Sequence, residues 1–164
     1  MATQGPLLLF TLFIQAFCRA PEKYTLCTSS SLDLAYVYCG RTSHAPKIGV
    51  DFCDVRKNGS WNITASWIPS FDVNKLYAIV VTWHESMKIS ERTYILCSGH
   101  DDEFEFCGRL KGETILMEIK RRMVFHIVKK GTYTFALQGF VDDQKKDDLC
   151  LNFTITVKRD MGLM

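Results

Sequence analysis

The residues best placed to do chemistry lie between Cys97 and Cys107, where Asp101, Asp102 and Glu103 follow one another in an acidic, aromatic loop, CSGHDDEFEFC. Three consecutive carboxylates invite a metal-binding or acid–base reading. They lack the alternating ligand spacing and turn glycine of a calcium loop, and neighbouring side chains on an extended chain point to opposite sides. The histidines His44, His84, His100 and His126 are scattered, and no nucleophile elbow, zinc-protease helix or phosphate loop occurs. The loop therefore reads as a solvated or partner-facing surface, and no enzymatic activity, catalytic residue, metal or cofactor is expected. A Cys97–Cys107 disulfide would hold that surface in place, and would serve equally as a plain structural staple.

A second cluster joins charge to carbon. In Ile119–Lys130 (IKRRMVFHIVKK) a basic triplet leads into six residues with one polar member, followed by two lysines. A site that buries acyl chains and meets anionic head groups needs that pairing, since each buried methylene is worth about 0.8 kcal/mol and Lys or Arg can hold a phosphate. The competing reading is an ordinary strand with solvated basic ends. A nucleic-acid patch fits less well, because aromatic and basic residues do not interleave.

At the start of the chain, Pro6–Ile14 is an apolar run followed by small residues at Ala16, Cys18 and Ala20. This is a secretory signal peptide over residues 1–18, cleaved after Cys18 rather than after Ala20, which Pro21 would follow. The run is too short to span a bilayer. Cleavage removes Cys18 and leaves Cys27, Cys39, Cys53, Cys97, Cys107 and Cys150, an even set that in an exported chain implies three disulfides. Spacing leaves the pairing open apart from favouring Cys97 with Cys107, and no cysteine pair has zinc-ligand spacing.

The remaining stretch, residues 19–164, is the size of one domain, with no repeat or linker to divide it. A net charge of +2 is too small for a global field to select partners, so local clusters must do so. Runs rich in β-branched and aromatic residues recur between turn signals: Leu32–Cys39, Lys47–Phe52, Trp61–Ile68, Leu76–Trp83, Arg92–Cys97, Thr114–Ile119, Thr132–Val141 and Leu149–Val157. Their spacing predicts an all-β antiparallel sandwich with little helix. Asn58-Gly59 reads as a hairpin turn, Gly112 and Lys130-Gly131 as strand ends, and the polar 142–148 stretch as another. In the last run Leu149, Leu151, Phe153, Ile155 and Val157 fall on one face and Asn152, Thr154 and Thr156 on the other. Asn152 begins a glycosylation sequon there, and Asn58 and Asn62 begin two more.

The cysteine loop with the following Leu110-Lys-Gly-Glu-Thr114, together with Tyr36-x-Tyr-Cys39, Ile68-Pro69, Leu76-Tyr77, Lys130-Gly-x-Tyr133 and Cys150-Leu-x-Phe153, resembles the MD-2-related lipid-recognition family over nearly the whole mature chain. The resemblance implies an immunoglobulin-like sandwich whose sheets splay around a lipid cavity, and disulfides Cys27–Cys53, Cys39–Cys150 and Cys97–Cys107. It carries lipid contacts over to Ile48, Val50, Ile63, Leu76, Val80, Phe104, Ile119, Met123, Tyr133, Phe135, Leu149, Leu151 and Phe153. Head-group cations carry over to Arg92 and Lys130, and receptor contacts to Asp101 and Asp102.

Departures fall between Arg121 and Val128, where Arg121 and Val128 replace aromatic positions and Val124 and Ile127 replace frequent lysines; Arg121 and Arg122 can restore the displaced charge. Phe135 stands where one family member keeps an unpaired cysteine. The implied function is a secreted co-receptor that binds lipopolysaccharide or another acylated anionic lipid and presents it to a leucine-rich-repeat receptor, Toll-like receptor 4, in a lipid-dependent two-to-two assembly. Gly108 matches instead a sister branch that partners the radioprotective receptor of B cells. Two further alternatives are a soluble carrier of the Niemann-Pick C2 kind and a stapled adhesion module with a solid core.

Overall fold

The computed structural model describes residues 22–40, 45–51, 53, 60–99, 104–122, 129–141 and 144–159, with only the backbone described at strand positions 60, 61, 119, 121, 122 and 144–148. The expected signal peptide and the Asn58-Gly59 turn lie outside them. Nine strands follow one another: β1 (Lys23–Thr28), β2 (Leu32–Tyr38), β3 (Lys47–Val50), β4 (Ser60–Trp67), β5 (Leu76–His84), β6 (Met87–Cys97), β7 (Ile115–Arg122), β8 (Gly131–Val141) and β9 (Gln144–Val157). They form two antiparallel sheets, one of six strands in the order β1-β2-β9-β8-β5-β6 and one of three in the order β3-β4-β7. No helix occurs among the described residues.

Alternation assigns each strand an inner face. On β9 the inner set Leu151, Phe153, Ile155 and Val157 pairs on one side with Tyr38, Tyr36, Leu34 and Leu32 of β2. On the other side it pairs with Leu137, Phe135, Tyr133 and Gly131 of β8. On the small sheet Ile48 and Val50 lie opposite Ala65 and Ile63, and Ala65 and Trp67 lie opposite Met117 and Ile115. Where the inner faces meet closely, Trp67, Val73, Leu76, Cys97, Phe106, Ile115 and Val141 form a core of buried residues. Leu32 and Leu34 nucleate a second cluster with Leu26, Val50 and Ile155.

Three elements differ from expectation. β1 was not foreseen, because its six residues carry too short an alternation to stand out, and it exists as an edge strand laddered to β2. β6 starts at Met87 rather than Arg92, since a tight turn at Glu85 (φ 53°) returns the chain directly onto β5. β9 starts at Gln144, within the polar stretch expected to end a strand. The hairpin closes by pairing Val141 with Gln144, and the register shifts between Gly139 and Val141, so the strand continues past the charged 145–148 stretch on its longer side despite the low strand propensity of those residues.

Three disulfides fasten this frame: Cys27–Cys53 joins β1 to the chain beyond β3, Cys39–Cys150 ties the end of β2 to β9, and Cys97–Cys107 closes the loop after β6. The loop is also laced to the 69–73 segment. Gly108 N donates to Val73 O (2.7 Å), Val73 N to Arg109 O (2.8 Å), and Gly112 N to Pro69 O (2.9 Å). Gly108 and Gly112 hold φ of 82° and 85°, a left-handed conformation that glycine adopts without strain. Replacing Cys97 and Cys107 together by Ala should cost about 2–4 kcal/mol, read as a lowered urea midpoint with the other two disulfides intact.

At the far end of β9, Lys158 N donates to Ser31 O (2.9 Å), its Nζ donates to Ser29 O (2.8 Å), and Nζ forms an ion pair with Asp33 Oδ1 (2.8 Å). Lys158 holds the Asp33 carboxyl below its ordinary value of 3.8. A lowered carboxylate pKa stabilises the fold above its unfolded value and is lost as pH falls through the folded one. The urea midpoint of the wild type should therefore exceed that of Asp33→Asn by a constant amount from neutral pH down to about 4 and converge with it below, as a pH series of urea titrations would read.

Candidate functional site

The inner faces do not fill the space between them along their whole length. A cavity of about 250 Å³ remains where Ile48 and Val50 of β3 and Ile63 of β4 face Val80 of β5, Phe135 and Leu137 of β8, and Phe153 and Ile155 of β9. Leu34 of β2 and Leu26 of β1 close its side. Each strand contributes by parity: Val50 is opposite Ile63, Val80 opposite Leu137, and Phe135 opposite Phe153. Every lining side chain is hydrocarbon. A cavity lined that way offers water no hydrogen bond and is suited to apolar matter such as an acyl chain. Its volume is just under the roughly 300–1,000 Å³ of small-molecule sites.

Of the residues expected to touch lipid, Ile48, Val50, Ile63, Val80, Phe135 and Phe153 are on this wall. Leu76, Phe104 and Leu149 belong instead to the close-packed end, where Trp67 and Ile115 occupy the space between the sheets. Leu151 is buried beside Leu137. Tyr133 stacks on His84 at 4.4 Å and its hydroxyl donates to Lys129 O, one strand step past the wall. The backbone of Ile119 pairs with Ile63, and Met123 lies outside the described residues. Leu26, Leu34, Leu137 and Ile155 were not singled out. Leu137 shares the parity of Phe135 and Ile155 that of Phe153, so the strand period carried the signal for both; Leu26 sits on the unforeseen β1.

The cations fall at the margins. Arg92 is exposed on the edge strand β6 and pairs with Val80, which places it on the cavity face one strand spacing, roughly 4.8 Å, beyond a wall residue. Lys130 is exposed just before β8. The backbones of Arg121 and Arg122 end β7, pairing with Trp61 and Ser60. Asp101 and Asp102 lie outside the described residues; beyond them, Phe104 and Phe106 stack at 5.1 Å, and Phe106 is buried in the core.

A larger open groove of about 810 Å³ runs along the small sheet past Lys47, Thr64, Ser66, Leu116 and Glu118, positions of outward parity. Its mixed polar and apolar lining has no use for an acyl chain, so the smaller hydrocarbon cavity is the better candidate site. Among the described residues no group of His, Cys, Asp or Glu could hold a metal ion, and no helix is long and apolar enough to cross a membrane.

No family model matches the sequence. The chain is 30% identical to human lymphocyte antigen 96 over 151 residues, 92% of this chain and 94% of that one. It is 27% identical to mouse lymphocyte antigen 86 over 134 residues, 82% of each. The solved structure of chicken MD-1 complexed with lipid IVa superposes with a TM-score of 0.70 at 21% identity, covering 84% of this chain and 98% of the other. A shared two-sheet architecture supports the sequence relationship, and the extent of that relationship is sufficient: the chain belongs to the MD-2-related lipid-recognition family, with lymphocyte antigen 96 among its relatives.

Proposed function

We propose that this protein is a secreted co-receptor that binds lipopolysaccharide or its lipid A portion and presents it to Toll-like receptor 4. The observation that carries the reading is the hydrocarbon cavity between the sheets with Arg92 one strand beyond Val80. Acyl chains enter the cavity, the guanidinium at the rim meets phosphate, and no bond is made or broken. The bound lipid IVa of chicken MD-1, an acylated ligand held by the same fold, supports the ligand class. Lys130, Arg121 and Arg122 supply further rim charge, Asp101 and Asp102 face the receptor, and lipid alters an edge that bridges two receptors. A second reading, partnership with the radioprotective receptor of B cells, is favoured by Gly108 and by the 27% identity to mouse lymphocyte antigen 86.

Light scattering of the glycosylated protein with the Toll-like receptor 4 ectodomain separates the two. Hexa-acylated lipopolysaccharide should convert a one-to-one complex into a two-to-two complex. Receptor binding without that shift would make the protein an antagonist or assign it another lipid, and no receptor binding would leave the second reading or a lipid carrier.

Two variants test the cavity itself. Val80→Phe adds volume to the wall at a typical cost of about 1–3 kcal/mol, and should weaken displacement of a fluorescent fatty acid by lipid A while thermal unfolding remains cooperative. Arg92→Ala removes a charge-assisted contact and should weaken binding of phosphorylated lipid A about tenfold, while leaving a dephosphorylated analogue unaffected in the same assay.

A further inference from the structure

On the side of the six-stranded sheet that points away from the cavity, one strand presents an apolar row. β5 places Tyr77, Ile79, Val81 and Trp83 on that outer side, all partly exposed. The outer face of an antiparallel sheet is ordinarily polar in alternation. Here Ile95 of β6, 76% exposed and paired with Tyr77, extends the apolar row to the sheet edge, while Thr93, Glu91 and Lys88 of the same strand lie opposite Ile79, Val81 and Trp83.

One sequon opens onto the same face. Asn152 is half-buried on β9, with Val37 of β2 on one side and Ala136 of β8 on the other, and Ala136 is in turn opposite Val81. Thr154 occupies the next row, in line with Thr134 and Trp83. The small side chains of Ala136 and Thr134 form a shallow floor between Asn152 and β5, two strand spacings or roughly 10 Å away. Two linked hexosamines span that distance, and the C–H face of a pyranose packs on an indole ring.

Asn62 presents the contrasting environment. Its Nδ2 donates to Asp51 Oδ2 (2.8 Å) and to Glu118 Oε1 (3.0 Å), so both amide hydrogens are in use and a sugar on that nitrogen would break one of the two bonds. No comparable pair of carboxylates flanks Asn152, whose register partners are Val37 and Ala136.

We propose that Asn152 carries an N-linked glycan whose first sugars lie across the outer face of the six-stranded sheet, over Ala136, Val81 and Trp83. A covalently attached, hydrated cover turns an apolar patch that would otherwise invite association into a soluble surface. It also excludes that face from protein docking.

The test uses protein secreted from a glycosylating cell line. Enzymatic glycan release in heavy-oxygen water, followed by peptide mass spectrometry, should find Asn152 converted to labelled Asp. Releasing the glycan from the folded protein should cause self-association by light scattering, reversed by Val81→Lys. Acrylamide quenching of tryptophan emission should rise on release, and Trp83→Phe should abolish the rise. An unmodified Asn152 overturns the proposal. So does a glycan at Asn152 whose release leaves both mass and quenching unchanged, since the sugars would then project into solvent rather than cover the sheet.

Discussion

Two sheets of unequal size share one apolar interface, and the smaller cannot fill it from end to end. At one end Trp67 and Ile115 reach across to Leu76 and Val73, and packing is tight. At the other, Ile48, Val50 and Ile63 stop short of Val80, Phe135 and Phe153 and leave about 250 Å³. Side chains along that stretch forgo the contacts that a filled core would give them, at a cost to folding. The covalent frame holds the walls in spite of it.

The frame is arranged for that purpose. Cys27–Cys53 ties β1 of the large sheet to the chain just beyond β3 of the small one, which limits how far the walls can separate at that side. Leu32 and Leu34 pack against this bridge together with Val50 and Ile155, two residues that also line the void. At the packed end, Cys97–Cys107 and the main-chain bonds to Val73 and Pro69 hold the chain from Phe104 to Gly112 against the core. The cavity and the described part of the loop after β6 are thus tied to the same two sheets.

Much of this frame was legible because a strand writes its faces into the sequence with period two. The alternation Leu151, Phe153, Ile155, Val157 fixed the inner face of β9, and the register carried it to β2 and β8. Period two does not say where two sheets touch and where they part. Leu76 and Val80 have the same parity on the same strand, yet one is in solid core and the other on the cavity wall. That difference depends on what the opposite sheet presents at each depth, Trp67 and Ile115 in one case and Ile63 in the other. Of the disulfides, spacing favoured only Cys97 with Cys107; the other two pairings came from resemblance, and the geometry accounts for all three, with Cα–Cα separations of 5.6, 4.9 and 5.6 Å.

The same parity argument explains how so apolar a site can neighbour a cation. A guanidinium placed inside the cavity would lose its hydration, at a cost several kcal/mol larger than any single contact returns. Arg92 avoids that cost by standing on the edge strand, level with Val80 but exposed. A ligand with carbon at one end and phosphate at the other matches a step of one strand from dry wall to wet rim. With a net charge of only +2, the chain has no general attraction for anions. On the proposed reading, preference for an amphiphile over a free phosphate or a bare hydrocarbon would rest on satisfying both positions at once.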